Sequence, residues 1–344
     1  MKEETIKIGV TCIGFPMWNL AIEAFKATEG VDVQIVGMDV KSDVPAKKYL
    51  DSYITIPPGN SEDYADTLFD ICKSEDIKVL IAGADEEVFA LTEKKDEFIS
   101  NGVICIVPKK DKKDLFYDKL AMYDFLSENG VTVPPYMRVR TASDLERACR
   151  KIPLHDEKFI VKLSRSRGGR GIFLVSMFAH KTESFLERDE VNTISLADMA
   201  EIVESTKDNM FMAMEYLEGD YYDVDVLSEN GTPVYLIQRK RVNPKGIPWQ
   251  GSEITDNKKM ADISTKICNL LGLHYLYDFD MFEKDGIVYP LEINPRVSGS
   301  MCATISAGIN LYGDLLKMAL NIPVERKSIP YGKKIYPRFH MEVQ

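Results

Sequence analysis

Residues 291–300 read LEINPRVSGS, an apolar run that ends with Glu292, Asn294 and Arg296 at alternate positions. Side chains two apart on a strand share a face, so these three polar heads are expected to point the same way. Asp280 stands twelve residues before Glu292, and the intervening EKDG segment is turn chemistry. The expected unit is an antiparallel hairpin of 279–282 with 287–293. A three-residue connection sets Asp280 opposite Glu292, and a two-residue connection makes them near neighbours, so two carboxylates converge in either case. Like charges about 4 Å apart cost on the order of 4 kcal/mol at an effective dielectric near 20, so the pair calls for a cation. Asp280, Glu292 and Asn294 offer oxygen donors with no His or Cys close by in sequence, which suits Mg²⁺ or Mn²⁺ rather than zinc. Magnesium commonly shares its coordination with substrate phosphates.

Three further stretches carry polar chemistry. In VKLSRSRGGRGIFLV, two apolar strands flank a loop with Ser164, Ser166, Gly168, Gly169 and Gly171, interleaved with Arg165, Arg167 and Arg170. Glycines let backbone N–H groups approach a phosphate and arginines add bidentate charge, although the pattern is not a Walker loop. Lys162, at the end of the entering strand, would sit under such phosphates. In MFMAMEYLEGDYYDVDVL an apolar strand stops at Glu215 and passes through Gly219 into another, a connector between lobes that could read a base with backbone groups. In QRKRV, Arg239, Lys240 and Arg241 end a strand, where a solvated edge competes with an anion site.

The elements that position these groups follow from patterning. At 344 residues the chain suits two or three packed subdomains, and its 45% apolar content is that of a globular protein. A net charge of -11 argues against a broad nucleic-acid surface. The six scattered cysteines read as reduced core residues of a cytoplasmic protein, and no run approaches the roughly 20 apolar residues of a spanning helix. Residues 1–110 alternate short apolar strands with helices, which predicts an α/β, doubly wound parallel sheet. Its first strand-to-helix turn offers only Gly9 and Gly14, too few for a dinucleotide fingerprint, so Asp39 at the end of the second strand reads as a solvent-facing acid. Apolar spacing from Leu115 to Leu126 predicts one connector helix within 111–135, ended by Gly130 and Pro134-Pro135. An α+β unit follows to 322, with lobes at about 136–214 and 215–322, and a tail covers 323–344.

These pieces, in this order, resemble the ATP-grasp superfamily, and within it single-module proteins like the carbamoyl-phosphate synthase large chain. The most specific match is EINPR with an acid twelve positions earlier; the hinge segment EYLxG is matched by Glu215, Tyr216, Leu217 and Gly219. The resemblance implies a two-lobed cleft for ATP, with adenine near Glu215, Tyr216 and Leu217 and with Lys119 and Lys162 on the phosphates. It implies a lid made by the 164–171 loop, two Mg²⁺ ions on Asp280, Glu292 and Asn294, and Arg296, Arg239 and Arg241 near the transferring phosphoryl group. Tyr221 stands where many relatives carry a ribose-binding acid, leaving Asp220 or Asp223 for that contact. The implied reaction is an ADP-forming ligation of a small-molecule carboxylate to an amine; a cytoplasmic enzyme is expected, with a homodimer allowed and with neither nucleic acid nor membrane as partner. The alternatives are a carboxyphosphate- or carbamoyl-forming enzyme and a non-catalytic ATP-binding regulator. Asp85 and Glu86 in GADEE, and Ser298 and Ser300 after the EINPR motif, are the substrate-side candidates; for the acids, a helix start enriched in negative charge competes.

Overall fold

The computed structural model describes residues 5–15, 17–166, 171–177, 192–206, 208–244 and 250–338. Strands β1 (Thr5–Val10), β2 (Asp32–Asp39), β3 (Ser52–Thr55), β4 (Val79–Ile81) and β5 (Ile104–Ile106) pair in parallel in the order β3-β2-β1-β4-β5. One face buries Ile8, Val10 and Ile35 with Trp18 and Phe25 of the helix Trp18–Lys26. The other buries Met38, Leu80 and Cys105 with Leu68 and Leu91 from two further helices. The domain is doubly wound, as the alternating pattern predicts. Asp39 is buried rather than solvent-facing: it accepts hydrogen bonds from the N–H groups of Gly14 (2.8 Å) and Lys41 (3.0 Å) and so closes the first turn itself.

The expected single connector helix is two helices, Lys113–Tyr117 and Lys119–Glu128. Asp118 takes an extended backbone between them, and its carboxylate accepts from the N–H of Leu120. A short acid that caps a helix start outweighs the apolar periodicity running through it. Gly130, with φ +69, follows the helix end as expected.

Strands β6 (Tyr136–Val139), β7 (Lys158–Leu163), β8 (Ile172–Ser176), β9 (Asn192–Ser195) and β10 (Phe211–Glu215) form the second sheet, in the order β6-β10-β7-β8-β9. Phe159, Val161, Phe211 and Ala213 pack on the helices Ala142–Lys151 and Leu196–Ser205. The opposite face presents Met212 and Met214 to Leu120 and Tyr123. Lys162 pairs across from Met212, so it lies on this second face.

The third sheet contains β11 (Asp220–Glu229), β12 (Thr232–Arg241), β13 (Ser252–Thr255), β14 (Tyr275–Lys284), β15 (Ile287–Asn294) and β16 (Lys334–Ile335), in the order β15-β14-β11-β12-β13-β16. Its neighbours are antiparallel. Tyr222, Val224, Tyr277, Phe279 and Met281 pack on the helix Lys258–Leu271. Strand periodicity turns Tyr221, Asp223, Asp225, Asp278 and Asp280 to the opposite face. Part of the expected tail supplies β16, and the helix Leu311–Ala319 joins the core of the N-terminal domain. Cys72, Cys105, Cys268 and Cys302 are buried, whereas Cys12 and Cys149 are only partly so. Among the described residues no helix is long and apolar enough to cross a membrane.

Candidate active site

The hairpin β14–β15 turns through two residues, Asp285 (φ 53) and Gly286 (φ 72). Left-handed values at both positions match the strand twist, and Asp-Gly is the pair that tolerates them. Such a turn alone puts Asp280 opposite Leu291. A β-bulge after Asp280 shifts the register, and Asp280 faces Glu292. The short connection and the direct opposition therefore occur together. Pro290, which has no N–H to give, is tolerated because β15 is an edge strand.

The pairing extends into a polar lattice. Arg239, Asp223, Asp280 and Glu292 stand side by side on β12, β11, β14 and β15; two residues further along, Asp225, Asp278 and Asn294 form a second row. Arg241 Nε and Nη2 donate to both carboxylate oxygens of Asp223 (3.0 and 2.6 Å), and Nη2 also reaches Asp280 Oδ1 (3.1 Å). The Arg241 guanidinium lies 3.7 Å from the centre of the Tyr221 ring. Burial raises Asp280 to about 6, with Arg241 opposing and Asp223 and Glu292 adding to the rise. Asp278 is pushed up to about 8 by burial and by three neighbouring aspartates, and its buried Oδ1 has no hydrogen-bond partner among the described residues. Five carboxylates in two adjacent rows, one with an unpartnered buried oxygen, are an oxygen donor set fit for a hard divalent cation.

Two lysines meet this row from the facing lobe. Lys119 begins its helix, donates to the carbonyl of Ser166 and lies 3.1 Å from Glu292 Oε1. Lys162 is 6% exposed, with its ammonium 5.3 Å from the centre of the Tyr123 ring. Burial lowers Lys162 from 10.5 to about 8, against the pull of Glu292. Ser164 is buried, and its carbonyl accepts from the N–H of Lys119 (2.9 Å), so the start of the arginine-rich loop is tied to the connector helix. Gly171 has φ +67 and closes back on Leu163. Gly168 and Gly169, with Arg167 and Arg170, lie outside the described residues.

At the connector between lobes, Glu215 is buried and paired to Lys284 (2.7 Å), and Leu217 is buried beside the half-buried Tyr216. A side chain on Gly219 would meet the carbonyl oxygen of Glu283 at 2.2 Å, which explains the glycine of the hinge segment. Asp223 does not extend this wall: both its oxygens serve Arg241 on the sheet face, while Asp220 is paired to Lys240. The ribose contact expected of Asp223 is therefore not supported by its position.

Arg239 also departs from expectation. It is fully buried, holds Asp225 through two hydrogen bonds (2.9 and 2.6 Å) and donates to Ser300 Oγ (2.9 Å). Thr304 donates to the same Asp225, and Ser298 Oγ lies 2.9 Å from Ser300 Oγ. A side chain with no exposed surface touches no substrate, so Arg239 positions the acidic rows. The two serine hydroxyls are occupied in fixing it. Arg296 lies beyond the end of β15, so only Glu292 and Asn294 share the strand face; its Nε is 3.1 Å from Asp85 Oδ1 in the N-terminal domain. Asp85, Glu86 and Glu87 open the helix Asp85–Glu93, and Glu87 turns inward to accept from Thr11 (2.6 Å) and from the N–H groups of Gly83 and Ala84. Asp225 and Asp278 did not figure among the expected site residues. Their signal was present in two Asp-x-Asp alternations, 223/225 and 278/280.

Residues 207–336 match the family described as ATP-grasp in the biosynthetic pathway with Ter operon, and residues 10–106 match the PylC-like, N-terminal domain. These matches agree with the two-lobed fold, which is of the ATP-grasp type. Among particular proteins, it is 22% identical over 294 residues to the carbamoyl phosphate synthase arginine-specific large chain of Geobacillus stearothermophilus; this is 80% of the chain but spans only 26% of that protein. N5-carboxyaminoimidazole synthetase from Staphylococcus aureus, solved with ADP, superposes with a TM-score of 0.68 at 15% identity, over 94% of this chain and 79% of that one. The L-amino acid ligase from Bacillus licheniformis gives 0.63 at 14% identity, over 93% and 75%.

Proposed function

We propose that the protein is an ATP- and Mg²⁺-dependent ligase that activates a small carboxylate as an acyl phosphate and joins it to an amine, releasing ADP and phosphate. The observation that carries this reading is the meeting of two buried lysines from one lobe with the Asp280–Glu292 pair of the other. In solution a carboxylate and a triphosphate repel each other, and a site that joins them must supply fixed positive charge from several sides.

Asp280, Glu292 and Asn294 would hold the metal, with Asp278 completing the acidic lining. Held there, Mg²⁺ would supply positive charge against the negative charge that develops on the phosphates. Lys119 and Lys162 bind the phosphates from the opposite lobe, and Lys119 exchanges its contact with Glu292 for one with ATP. Arg241 holds Asp280 in place, with its guanidinium stacked on Tyr221, and adds positive charge beside the reacting groups. Arg296 aims at the acyl phosphate from the N-terminal side, and Asp85 fixes that aim. Glu215, Tyr216 and Leu217 form the adenine wall. The acyl phosphate is open to hydrolysis, which gives the 164–171 loop a use as a cover against water.

The test is ADP and phosphate release from Mg²⁺-ATP in the presence of pools of amino acids, small carboxylic acids and bicarbonate, with mass spectrometry of each active pool. Release that depends on a pool and yields a dehydrated adduct establishes ligation and names the substrates. Tight Mg²⁺-ATP binding without release in any pool would instead support a non-catalytic regulator.

A further inference from the structure

A pocket of about 60 Å³ lies where the end of the N-terminal sheet, the connector helix Lys113–Tyr117 and the turn entering β14 meet. Its polar lining is Lys95, Lys109, Lys112, Asn230 and His274, and among the described residues no carboxylate lines it. The rings of Phe116 and Tyr277, with centroids 5.8 Å apart, make an apolar wall. Tyr277 belongs to the helix-packed face of the third sheet, opposite to the face that carries Asp278 and Asp280. The pocket is therefore separate from the nucleotide cleft.

Its donors are oriented and short of negative partners. Lys95 Nζ donates to the carbonyl oxygens of Val107 (2.7 Å) and Pro108 (3.4 Å), which fixes the ammonium without neutralising it. Among the described residues Lys109 has no ion pair, and Lys112 has one carboxylate partner, Asp111 at 3.9 Å, with its ammonium 5.7 Å from the centre of the Phe125 ring. His274 Nδ1 accepts from the backbone N–H of Asn230 (3.2 Å), so the neutral ring carries its proton on Nε2 as a further donor. Burial lowers the pKa of His274, and Lys95 and Lys109 lower it further against Glu229, the mark of surplus positive charge.

The nearby end of the helix Lys258–Leu271 does not account for this charge. Its carbonyls at Cys268 and Asn269 already accept from Leu273 (3.0 Å) and Gly272 (3.3 Å). A helix C-terminus carries only about half a negative charge, too little to balance three ammonium groups. Nor does overall composition explain it, since the chain carries a net charge of -11.

We infer that this pocket binds a small dianion of the phosphate class, either free phosphate or the phosphate group of a monoester, and that occupancy ties the N-terminal domain to the third sheet. The volume admits a tetrahedral oxyanion and falls far below the roughly 300–1,000 Å³ of sites that enclose drug-sized ligands.

The test is thermal unfolding and calorimetry of the full chain with inorganic phosphate or ethyl phosphate, at ionic strength held constant with chloride. The melting temperature is expected to rise for wild type and for Lys162→Ala, which removes a phosphate ligand of the cleft. The rise should be lost in Lys109→Ala/Lys112→Ala, with affinity about tenfold lower per lysine removed. Tighter binding of ethyl phosphate than of phosphate would identify a monoester as the ligand, and the reverse order free phosphate. A rise lost in Lys162→Ala but kept in the double variant would put the anion in the cleft and overturn the proposal. No rise with either anion in wild type would overturn it as well.

Discussion

Lys162 offers a test in which stability and function move in opposite directions. Burial lowers its pKa from 10.5 to about 8, so the folded, ligand-free protein holds an ammonium group that the surroundings disfavour. A tenfold loss of proton affinity corresponds to about 1.4 kcal/mol, which makes the cost roughly 3 kcal/mol when the lysine is charged. Lys162→Met keeps the length and the contact with Tyr123 while removing that charge, and it should stabilise the ligand-free protein by about this amount, near 5 °C in melting temperature. The sign follows from proton uptake. Below pH 8 both folded and unfolded lysines are protonated and the full cost is present. Between 8 and 10.5 the unfolded chain binds the extra proton, so wild-type stability rises with pH and the advantage of the methionine fades. The same variant should bind Mg²⁺-ATP about tenfold or more weakly, since a charge-assisted contact to phosphate is lost. Differential scanning calorimetry across pH 7 to 10.5 and titration calorimetry with nucleotide read the two effects separately. A variant no more stable than wild type, with nucleotide affinity unchanged, would refute the reasoning that this lysine is held in a costly state for ATP.

Glu292→Gln should leave the protein folded and lower kcat/KM for ATP turnover by about a hundredfold or more; full turnover would remove Glu292 from the metal site. Arg241→Met should destabilise the chain by about 3–5 kcal/mol in chemical denaturation, because it strands the buried Asp223 and leaves Asp280 with less compensation. A loss below about 1 kcal/mol would show that this pairing is not formed in solution. Asp280 and Asp278 are raised to about 6 and about 8, so the stability they contribute is present at low pH and is lost as pH rises through those values. Mg²⁺ binding favours their ionised forms and should release protons between pH 6 and 8 but not at pH 9. Calorimetry in buffers of different ionisation enthalpy measures the release, and its absence would argue that the ion avoids this carboxylate lattice.

The order of elements and the convergence of Asp280 with Glu292 were legible because both rest on local rules: strand alternation, turn residues and helix caps. What escaped depended on pairing between distant strands. Alternation alone puts Asp223 and Asp225 on one face of β11, but only the registers with β12 and β14 set them beside Arg239 and Asp278. The charge on QRKRV looked like an edge device or an anion site, whereas β12 is interior to its sheet and Arg239 is sealed inside. The break at Asp118 was hidden for the opposite reason, since apolar spacing continues through it while one side chain caps the second helix. The short β16 carries almost no signal of its own and exists only because β13 offers it an edge.

The acidic lattice also explains why charge is spread over so many elements. Two cross-strand carboxylates could be neutralised by one neighbouring cation. Here Arg241 serves Asp223 and Asp280, Arg239 serves Asp225, and Lys119 serves Glu292, while Asp278 keeps a buried oxygen with no hydrogen bond among the described residues. The guanidinium groups come from the same sheet and are locked by bidentate bonds, so they set geometry. Lys119 comes from the facing lobe and meets Glu292 through one ion pair, without the bidentate bonds that lock the guanidinium groups, so it is the cation most readily exchanged. A ligand that brings its own cation to the acids and its own anion to the lysines would replace the Lys119–Glu292 ion pair with two stronger sets of contacts. Such a ligand is a metal-bound polyphosphate, and the arrangement favours it over a bare anion or a bare cation, each of which would leave half of the lattice uncompensated.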